Sequence, residues 1–154
     1  MPIYTLQHSQ VVEASCDRSW AFFSDPRNLA KITPPDLGFE IVSDLPQSIR
    51  PGLMIQYRVR PLLGIPVTWL TEITHVVPGH SFVDEQRVGP YRIWHHEHTF
   101  VPLDDGRTEC TDLVHYVPPF GPLGGLLHPW LIRPRLEAIF RYREERIRSG
   151  ALGI

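Results

Sequence analysis

The chain has 154 residues, of which 42% are hydrophobic and 21% charged, and its formal net charge is -2. A chain of this length and composition can bury a core without disulfides or metal ions, and we expect a single domain over residues 1–154. The slightly negative charge argues against a general binder of nucleic acid or of anionic membranes.

The cysteines and the apolar segments bear on location. Cys16 and Cys110 are far apart and lack the spacing of a metal site. The first ten residues contain no basic segment followed by an apolar one, as a signal peptide would. The most apolar segment, residues 117–132, is interrupted by proline, glycine and histidine. We therefore expect a reduced, cytoplasmic protein without integral membrane association.

The predicted elements begin with a strand over residues 3–14 and two short helices at residues 18–24 and 26–32. Asp17 and Asp25 stand where each helix needs an N-cap, and a proline follows Asp25 at the first helical position. The Thr-Pro-Pro sequence after the second helix should end it, because proline disfavours helical conformation in the preceding residue.

Six further strands follow, separated by turn sequences rich in proline, glycine and aspartate. They are predicted at residues 38–43, 54–60, 67–76, 81–88, 92–101 and 107–117. Apolar and polar side chains alternate along them, so one face of the sheet should be charged and Thr-rich in solvent and the other should be covered.

A helix at the end of the chain, residues 129–148, is the predicted cover. Its apolar side carries Leu136, Ile139, Phe140, Arg143 and Ile147. At about 1.5 Å per residue the helix is roughly 30 Å long, enough to cross a sheet. Pro134 lies inside it and should kink it or delay its regular start.

The covered face has an unusual composition between residues 82 and 100. Its alternating positions are Phe82, Asp84, Gln86 and Val88, then Trp94, His96, His98 and Phe100. This mixture of aromatic and ionisable side chains is typical neither of a plain core nor of a solvated face. We predict that it lines a cavity.

Two hairpin loops predict which of these side chains meet. A three-residue loop at 104–106 places His98 opposite Asp112, and a three-residue loop at 89–91 places Asp84 opposite His96. Directly opposed side chains on one face interact, so the sequence predicts two adjacent Asp–His pairs. Aromatic residues should wall them: Trp69, Phe82, Trp94 and Tyr116.

Four segments resemble, in order, the START / polyketide cyclase / pathogenesis-related allergen superfamily (SRPBCC), in particular its bacterial single-domain ligand-binding group. The segments are FFSDPRNLAKITPP, RPLLGIPVTWLTEIT, FVDEQRVGPYRIWHHEHTF and TDLVHYVPPFGPLG. The resemblance implies an α+β helix-grip fold, with a seven-stranded antiparallel curved sheet wrapped around a long C-terminal helix and two short helices after strand 1. It also implies a ligand cavity but no universal catalytic motif.

We therefore expect binding, and with it transport or sequestration, of a hydrophobic or amphipathic small molecule between the sheet and the C-terminal helix. The candidate ligand-binding residues are Tyr57, Trp69, Phe82, Asp84, Gln86, Trp94, His96, His98, Asp112, Tyr116, Phe120, Leu136 and Phe140. No cofactor, metal ion or nucleic acid is expected as a partner.

The Asp–His pairs admit other interpretations. They could be a satisfied polar network that fixes the register of the sheet. They could also serve a cyclase, dehydratase or isomerase, with His98 or His96 as general acid or base, Asp112 as the residue that orients His98, and Tyr116 as proton donor. A metal site of His96, His98 and Asp112 would require the two imidazole rings to converge. His95, on the other face, should be a surface residue.

The loops at one end of the meander are apolar. Residues 32–37, 61–66, 89–91 and 118–127 should share that end and contain few charges. Such a rim could be a doorway to the cavity, a plug folded into its mouth, or a docking surface for a partner or a second copy. The chain should accordingly be a monomer or a homodimer.

Overall fold

The computed structural model describes residues 1–61 and 63–154. Within these ranges seven strands form one curved antiparallel sheet in the order β1-β7-β6-β5-β4-β3-β2. The strands are β1 (Tyr4–Val12), β2 (Glu40–Ile41), β3 (Leu53–Val59), β4 (Val67–Val77), β5 (Ser81–Val88), β6 (Ile93–Pro102) and β7 (Thr108–Val117). The sheet is a meander, except that β1 lies beside β7, the last strand.

Helices cover one face of this sheet. They are α1 (Cys16–Phe23), a 3₁₀ segment (Pro26–Ile32), a 3₁₀ turn (Pro35–Leu37), α2 (Gly121–Leu127), a π-helical segment (His128–Ile132) and α3 (Arg133–Arg148). This arrangement confirms the predicted helix-grip architecture, with its two short helices after the first strand and its long C-terminal helix. In the part of the chain that the structure describes, no helix is long and apolar enough to cross a bilayer.

The helix caps agree with the sequence prediction at one of two positions. Asp25 caps the 3₁₀ segment as expected, because its Oδ1 accepts a hydrogen bond from the backbone N–H of Arg27 at 3.0 Å. The prediction of Asp17 as the first cap is wrong. Ser15 caps α1, because its hydroxyl oxygen accepts a hydrogen bond from the backbone N–H of Arg18. Asp17 lies in the first turn, where the positive end of the helix dipole stabilises a carboxylate.

The C-terminal helix begins earlier than predicted. Residues 121–127, expected to be part of a rim loop, form α2, and helical structure continues from there to Arg148. Pro122 lies in the first turn, where its missing N–H costs nothing. Pro129, the predicted first residue of the helix, lies in the first turn of the π-helical segment, where the turns are wider than in an α-helix. The chain is therefore already helical before Pro129, and the type of helix changes at this position.

The predicted hairpin registers are confirmed. Asp84 is the partner of His96 across β5 and β6, and His98 is the partner of Asp112 across β6 and β7. The predicted strand at 38–43 is mostly wrong, because only Glu40 and Ile41 pair with β3. The sheet therefore ends in a very short edge strand beside β3.

The buried apolar residues of the described chain form three clusters. One joins α1 and the end of α3 to the sheet around Phe82 and Phe100. The second packs α3 on β1 and β7 around Tyr116 and Phe140, and the third covers β3 and β4 around Ile55. All three contribute to the walls of the cavity that lies between them.

Candidate functional site

A cavity of about 220 Å³ lies between α3, the 3₁₀ segments and the concave face of the sheet. Most of its walls are apolar or aromatic. Nine of the thirteen predicted ligand-binding residues line it: Tyr57, Trp69, Phe82, Asp84, Trp94, His96, His98, Leu136 and Phe140.

Four predicted residues do not line this cavity. The amide of Gln86 bonds the backbone of Tyr91, donating to its carbonyl and accepting from its N–H, and so closes the β5–β6 turn. Tyr116 is fully buried, with its hydroxyl 2.7 Å from Nε2 of His128. Phe120 is 61% exposed, with φ 66° ahead of α2. Asp112 does not line the cavity itself but contacts His96 and His98, which do.

Several lining residues were missed by the sequence prediction. Those that matter most are Phe22, Leu29, Leu37, Thr71, Tyr91, Arg135 and Arg143. Arg143 could have been predicted, because it is the one charged residue on the apolar side of the predicted helix. Thr71 could have been predicted too, because it follows Trp69 at period-two spacing on the covered face. Leu29 and Leu37 carry no such signal, because their 3₁₀ segments are placed by tertiary packing.

Two aspartates and two histidines form a closed cluster at one wall of the cavity. The two shortest contacts run diagonally, His96 Nε2 to Asp112 Oδ1 and His98 Nε2 to Asp84 Oδ2, each 2.7 Å. The contacts between direct register partners are longer, 3.1 Å from His98 Nδ1 to Asp112 and 3.7 Å from His96 Nδ1 to Asp84. The predicted pairs, Asp84 with His96 and His98 with Asp112, are thus correct for the strand register. The shortest hydrogen bonds instead join His96 to Asp112 and His98 to Asp84.

Arg143 of α3 completes the cluster from above. Its Nη1 donates to Asp112 Oδ1 at 3.3 Å, and its guanidinium carbon lies 4.9 Å from the centre of the Phe140 ring. Within the described residues, its buried Nε has no hydrogen-bond partner. Arg143 therefore fixes Asp112 by charge while keeping an unsatisfied donor group inside the protein.

The cluster sets the ionisation of its members. Burial alone would raise the pKa of Asp112, but Arg143 and the two imidazoles hold it well below its ordinary value. The pKa of Asp84 is lowered too, as His96 and His98 outweigh the effect of burial. Both carboxyl groups are thus ionised at neutral pH.

The two histidines shift in opposite directions. Burial and the neighbouring His98 lower the pKa of His96. Burial would also lower the pKa of His98, but its bonds to Asp112 and Asp84 outweigh burial and raise it. Asp84 and Asp112 thereby favour the protonated form of His98, and their charges are also offset by Arg143, whereas the neutral form of His96 is favoured. Because Nε2 of His96 donates to Asp112, its unprotonated nitrogen is Nδ1.

The cluster does not fit a metal ion as it stands. Asp84, His96 and His98 each offer a ligand atom, all within 4.8 Å of one another. The two imidazole rings, however, are tilted by 31° with their centres 3.8 Å apart. Nε2 of each ring already bonds an aspartate at 2.7 Å, so binding of an ion through these atoms would break the bonds that hold the rings in place.

Aromatic rings and tyrosine hydroxyls form another part of the cavity wall, which adjoins the cluster where Trp94 packs edge-on to His96 with ring centres 6.2 Å apart. Trp69, Tyr91 and Trp94 pack on one another with ring centres 4.9–5.8 Å apart. Burial raises the pKa of Tyr57 and of Tyr91, so both hydroxyls stay protonated. Among the described residues neither hydroxyl has a hydrogen-bond partner, which leaves both available to a bound molecule.

Several solved structures share this fold. A START superfamily protein from Mycobacterium smegmatis matches with a TM-score of 0.68 and 16% identity, over 94% of this chain and 97% of its own. An aromatase/cyclase from Streptomyces sp. R1128 matches with a TM-score of 0.67 and 20% identity, over 97% and 94%. The protein Ara h 8.0201 matches with a TM-score of 0.61 and 14% identity, over 96% and 99%.

At these identities the structures establish the fold alone. No curated protein matches the chain in sequence. Residues 12–141 match the family described as polyketide cyclase / dehydrase and lipid transport, which spans most of the chain and every wall of the cavity except Arg143. The chain belongs to this polyketide cyclase / dehydrase and lipid transport family.

Proposed function

We propose that the protein binds a compact hydrophobic or amphipathic molecule in the cavity beneath α3 and carries or sequesters it. The observation that carries this proposal is the cavity of about 220 Å³ with mainly aromatic and aliphatic walls. Small-molecule sites are usually built in this way, with few polar groups in an apolar hollow. The volume is below the roughly 300–1,000 Å³ of common ligand pockets, so it favours a molecule of one or two rings or a short chain.

The polar groups of the cavity support a ligand with more than one hydrogen-bonding substituent. Tyr57 and Tyr91 offer hydroxyls that have no hydrogen-bond partner among the described residues. His96 Nδ1, which at 3.7 Å from Asp84 is too far to bond it, can accept a hydrogen bond from a ligand hydroxyl. The rings of Trp69 and Trp94 would pack on a flat hydrocarbon.

Native mass spectrometry of purified protein and a thermal-shift screen with hydrophobic compounds test this proposal. We expect a co-purified lipophilic mass or library members that raise the melting temperature. Leu29→Trp, which fills the cavity from the 3₁₀ segment, should abolish that rise. Val77→Trp, on an exposed position outside the cavity, should keep it. No bound mass and no stabilising compound, or equal binding by Leu29→Trp, would overturn the proposal.

A second candidate is an enzyme of cyclase, dehydratase or isomerase type. The observation that favours it is the opposite pKa shift of two adjacent cavity histidines. Neutral His96 could accept a proton through Nδ1 while protonated His98 donates one, which is the division of labour expected of an acid–base pair. Turnover of a cavity ligand that is lost in His98→Ala and retained in His95→Ala would support it. Equal loss in both variants would indicate misfolding.

A further inference from the structure

The most exposed apolar side chains lie at one end of the molecule. Counted over the described residues, the nine most exposed large ones are Met1, Ile3, Leu63, Ile65, Val88, Phe120, Leu123, Leu126 and Trp130. Val88 is the least exposed of the nine, at 55%, and Val77, the most exposed elsewhere, is 51% exposed. We call these nine residues the apolar end.

The topology of the sheet brings the nine together. Tyr4 pairs with Tyr116, so the chain before β1 lies beside the chain after β7. Alternate turns of an antiparallel meander lie at the same end of the sheet. That end therefore also holds the β3–β4 connection, the end of β5 and the start of α2. Of the loops predicted to form an apolar rim, residues 61–66 and 118–127 contribute Leu63, Ile65, Phe120, Leu123 and Leu126, whereas Ile32 and Leu37 of the loop at 32–37 are buried. Leu62, also in the predicted rim, lies outside the described residues.

The segment from α2 into the π-helical turns carries apolar residues on its outer side. Gly124, His128 and Ile132 are buried on its inner side against the protein. Leu123, Leu126 and Trp130 follow helical spacing on the outer side, and Trp130 is 82% exposed. A helix of a water-exposed surface would carry polar residues there, so this outer stripe is suited to a non-aqueous environment.

Four arginines flank the apolar end, and two of them have a carboxylate partner. Arg133 pairs with Glu137, and Arg135 pairs with Asp36 at 2.7 Å. Arg60 follows β3 and Arg92 precedes β6, and in the part of the chain described neither has a carboxylate within 4 Å. Slightly farther from this end, Arg58 and Glu40 neutralise each other.

The opposite end carries the carboxylates Glu13, Asp17, Asp44, Asp104 and Asp105 and the arginines Arg18, Arg50 and Arg107, and the last turn of α3 adds Glu145, Arg146 and Arg148. Carboxylates and arginines are nearly balanced there. The apolar end differs because, among the described residues, Arg60 and Arg92 have no carboxylate within 4 Å. The whole-chain charge, which argues against anionic surfaces, does not describe the apolar end.

We propose that the apolar end docks reversibly on an anionic phospholipid surface. Trp130 and the leucines of α2 enter the interface, where tryptophan is favoured, and Arg60 and Arg92 face the phosphate groups. The cavity reaches this end, because Pro61 and Arg135 line it. This proposal rests on the proposed ligand binding, and it makes the bilayer the source or the destination of the hydrophobic ligand.

A second copy of the chain fits this surface less well. A two-fold dimer through the apolar end would bring Arg60 and Arg92 of both protomers to one interface. Like charges at an interface oppose association, whereas lipid phosphates complement them. Self-association is therefore an outcome of the test and not the proposal.

Flotation of the full chain with phosphatidylcholine vesicles, with and without phosphatidylglycerol, tests the docking. We expect binding to the anionic vesicles that falls as salt is raised. Leu126→Ser with Trp130→Ser should weaken it at least tenfold, and Arg60→Glu with Arg92→Glu should abolish the preference for anionic lipid. Val77→Ser with Val101→Ser, exposed apolar positions outside the apolar end, is the matched control and should bind as the wild type does.

Absence of wild-type binding, equal loss in the control variant, or a dimer broken by the Leu126 and Trp130 substitutions without vesicle binding would overturn the docking. The thermal-shift screen is run on the same variants. Leu126 and Trp130 do not line the cavity, so their substitution should leave the ligand-induced rise in melting temperature unchanged. Failure of docking and failure of ligand binding are thereby separate results.

Discussion

His96 and Asp112 bond diagonally across β6 and β7, with Nε2 of the imidazole 2.7 Å from Oδ1 of the carboxylate. The register partner of His96 on β7 is Val114, and that of Asp112 is His98. The diagonal bond is possible because neighbours two residues apart on one face of a sheet remain within reach of long side chains. Through this bond Asp112 contacts His96 as well as His98 and Arg143.

Asp112→Asn should lower the free energy of unfolding by about 3 kcal/mol, because removing one partner of a buried ion pair leaves the other charge uncompensated. The matched control is Glu85→Gln. Glu85 bonds His95 at the same 2.7 Å on the other face of the sheet, where both side chains are partly exposed. That change should cost less than about 1 kcal/mol. Urea unfolding measures both, and equal losses would show that the cluster is not specially stabilising.

The two cavity histidines should titrate on opposite sides of the ordinary imidazole value of 6.5, His98 above it and His96 below it. Since the pKa of His98 is raised by folding, its contribution to stability is complete below pH 6.5 and is lost as pH rises through its folded pKa. Nitrogen-15 NMR of the imidazoles reads each pKa directly. Asp84→Asn should lower the pKa of His98, and Glu85→Gln should leave it unchanged. Coincident titration of the two rings would contradict the charge assignment of the cluster.

Tyr116→Phe should destabilise the fold without affecting ligand binding. The hydroxyl of Tyr116 bonds Nε2 of His128 at 2.7 Å, and burial and Arg133 lower the pKa of His128. Leaving that buried nitrogen without its partner should cost about 1–3 kcal/mol. Tyr4→Phe is the control, since the Tyr4 ring stacks on His128 without a hydroxyl bond among the described residues. A change in ligand affinity in Tyr116→Phe would restore Tyr116 to the binding site.

Period-two alternation predicted the sheet and most of the cavity wall. Strands β3 to β7 expose their inner faces in register, so Tyr57, Trp69 and His98 follow from spacing once the turns are found. The hairpin loops gave the partners of His96 and His98 because their length fixes the register. These features depend on local sequence, which is why the sequence alone was sufficient.

The remainder depends on contacts between distant segments. Nothing near Leu29 or Leu37 indicates that their 3₁₀ segments would face β3 across a cavity. Phe120 is a predicted ligand-binding residue, but its φ is 66° and its side chain is 61% exposed. The diagonal exchange of hydrogen bonds in the Asp–His cluster depends on side-chain lean and on Arg143, which arrives from the far end of the chain.

Gly124→Ala and Gly125→Ala should have opposite effects on the helix that carries Leu123 and Leu126. A methyl group on Gly124 would lie 1.6 Å from the carbonyl oxygen of Pro119, whereas one on Gly125 would meet no atom within 4 Å. Gly124→Ala should therefore force the start of α2 away from the preceding prolines and cost about 1–3 kcal/mol.

Gly125→Ala should stabilise the protein by about 0.5–1 kcal/mol, because alanine restricts the unfolded chain and favours the helix. Urea unfolding distinguishes the two signs. The same variants also test the docking, because a displaced α2 would move Leu123 and Leu126 out of line with Trp130. Gly124→Ala should therefore weaken vesicle binding, and Gly125→Ala should leave it unchanged. Equal stability of the two variants would show that α2 does not pack against Pro119 in solution.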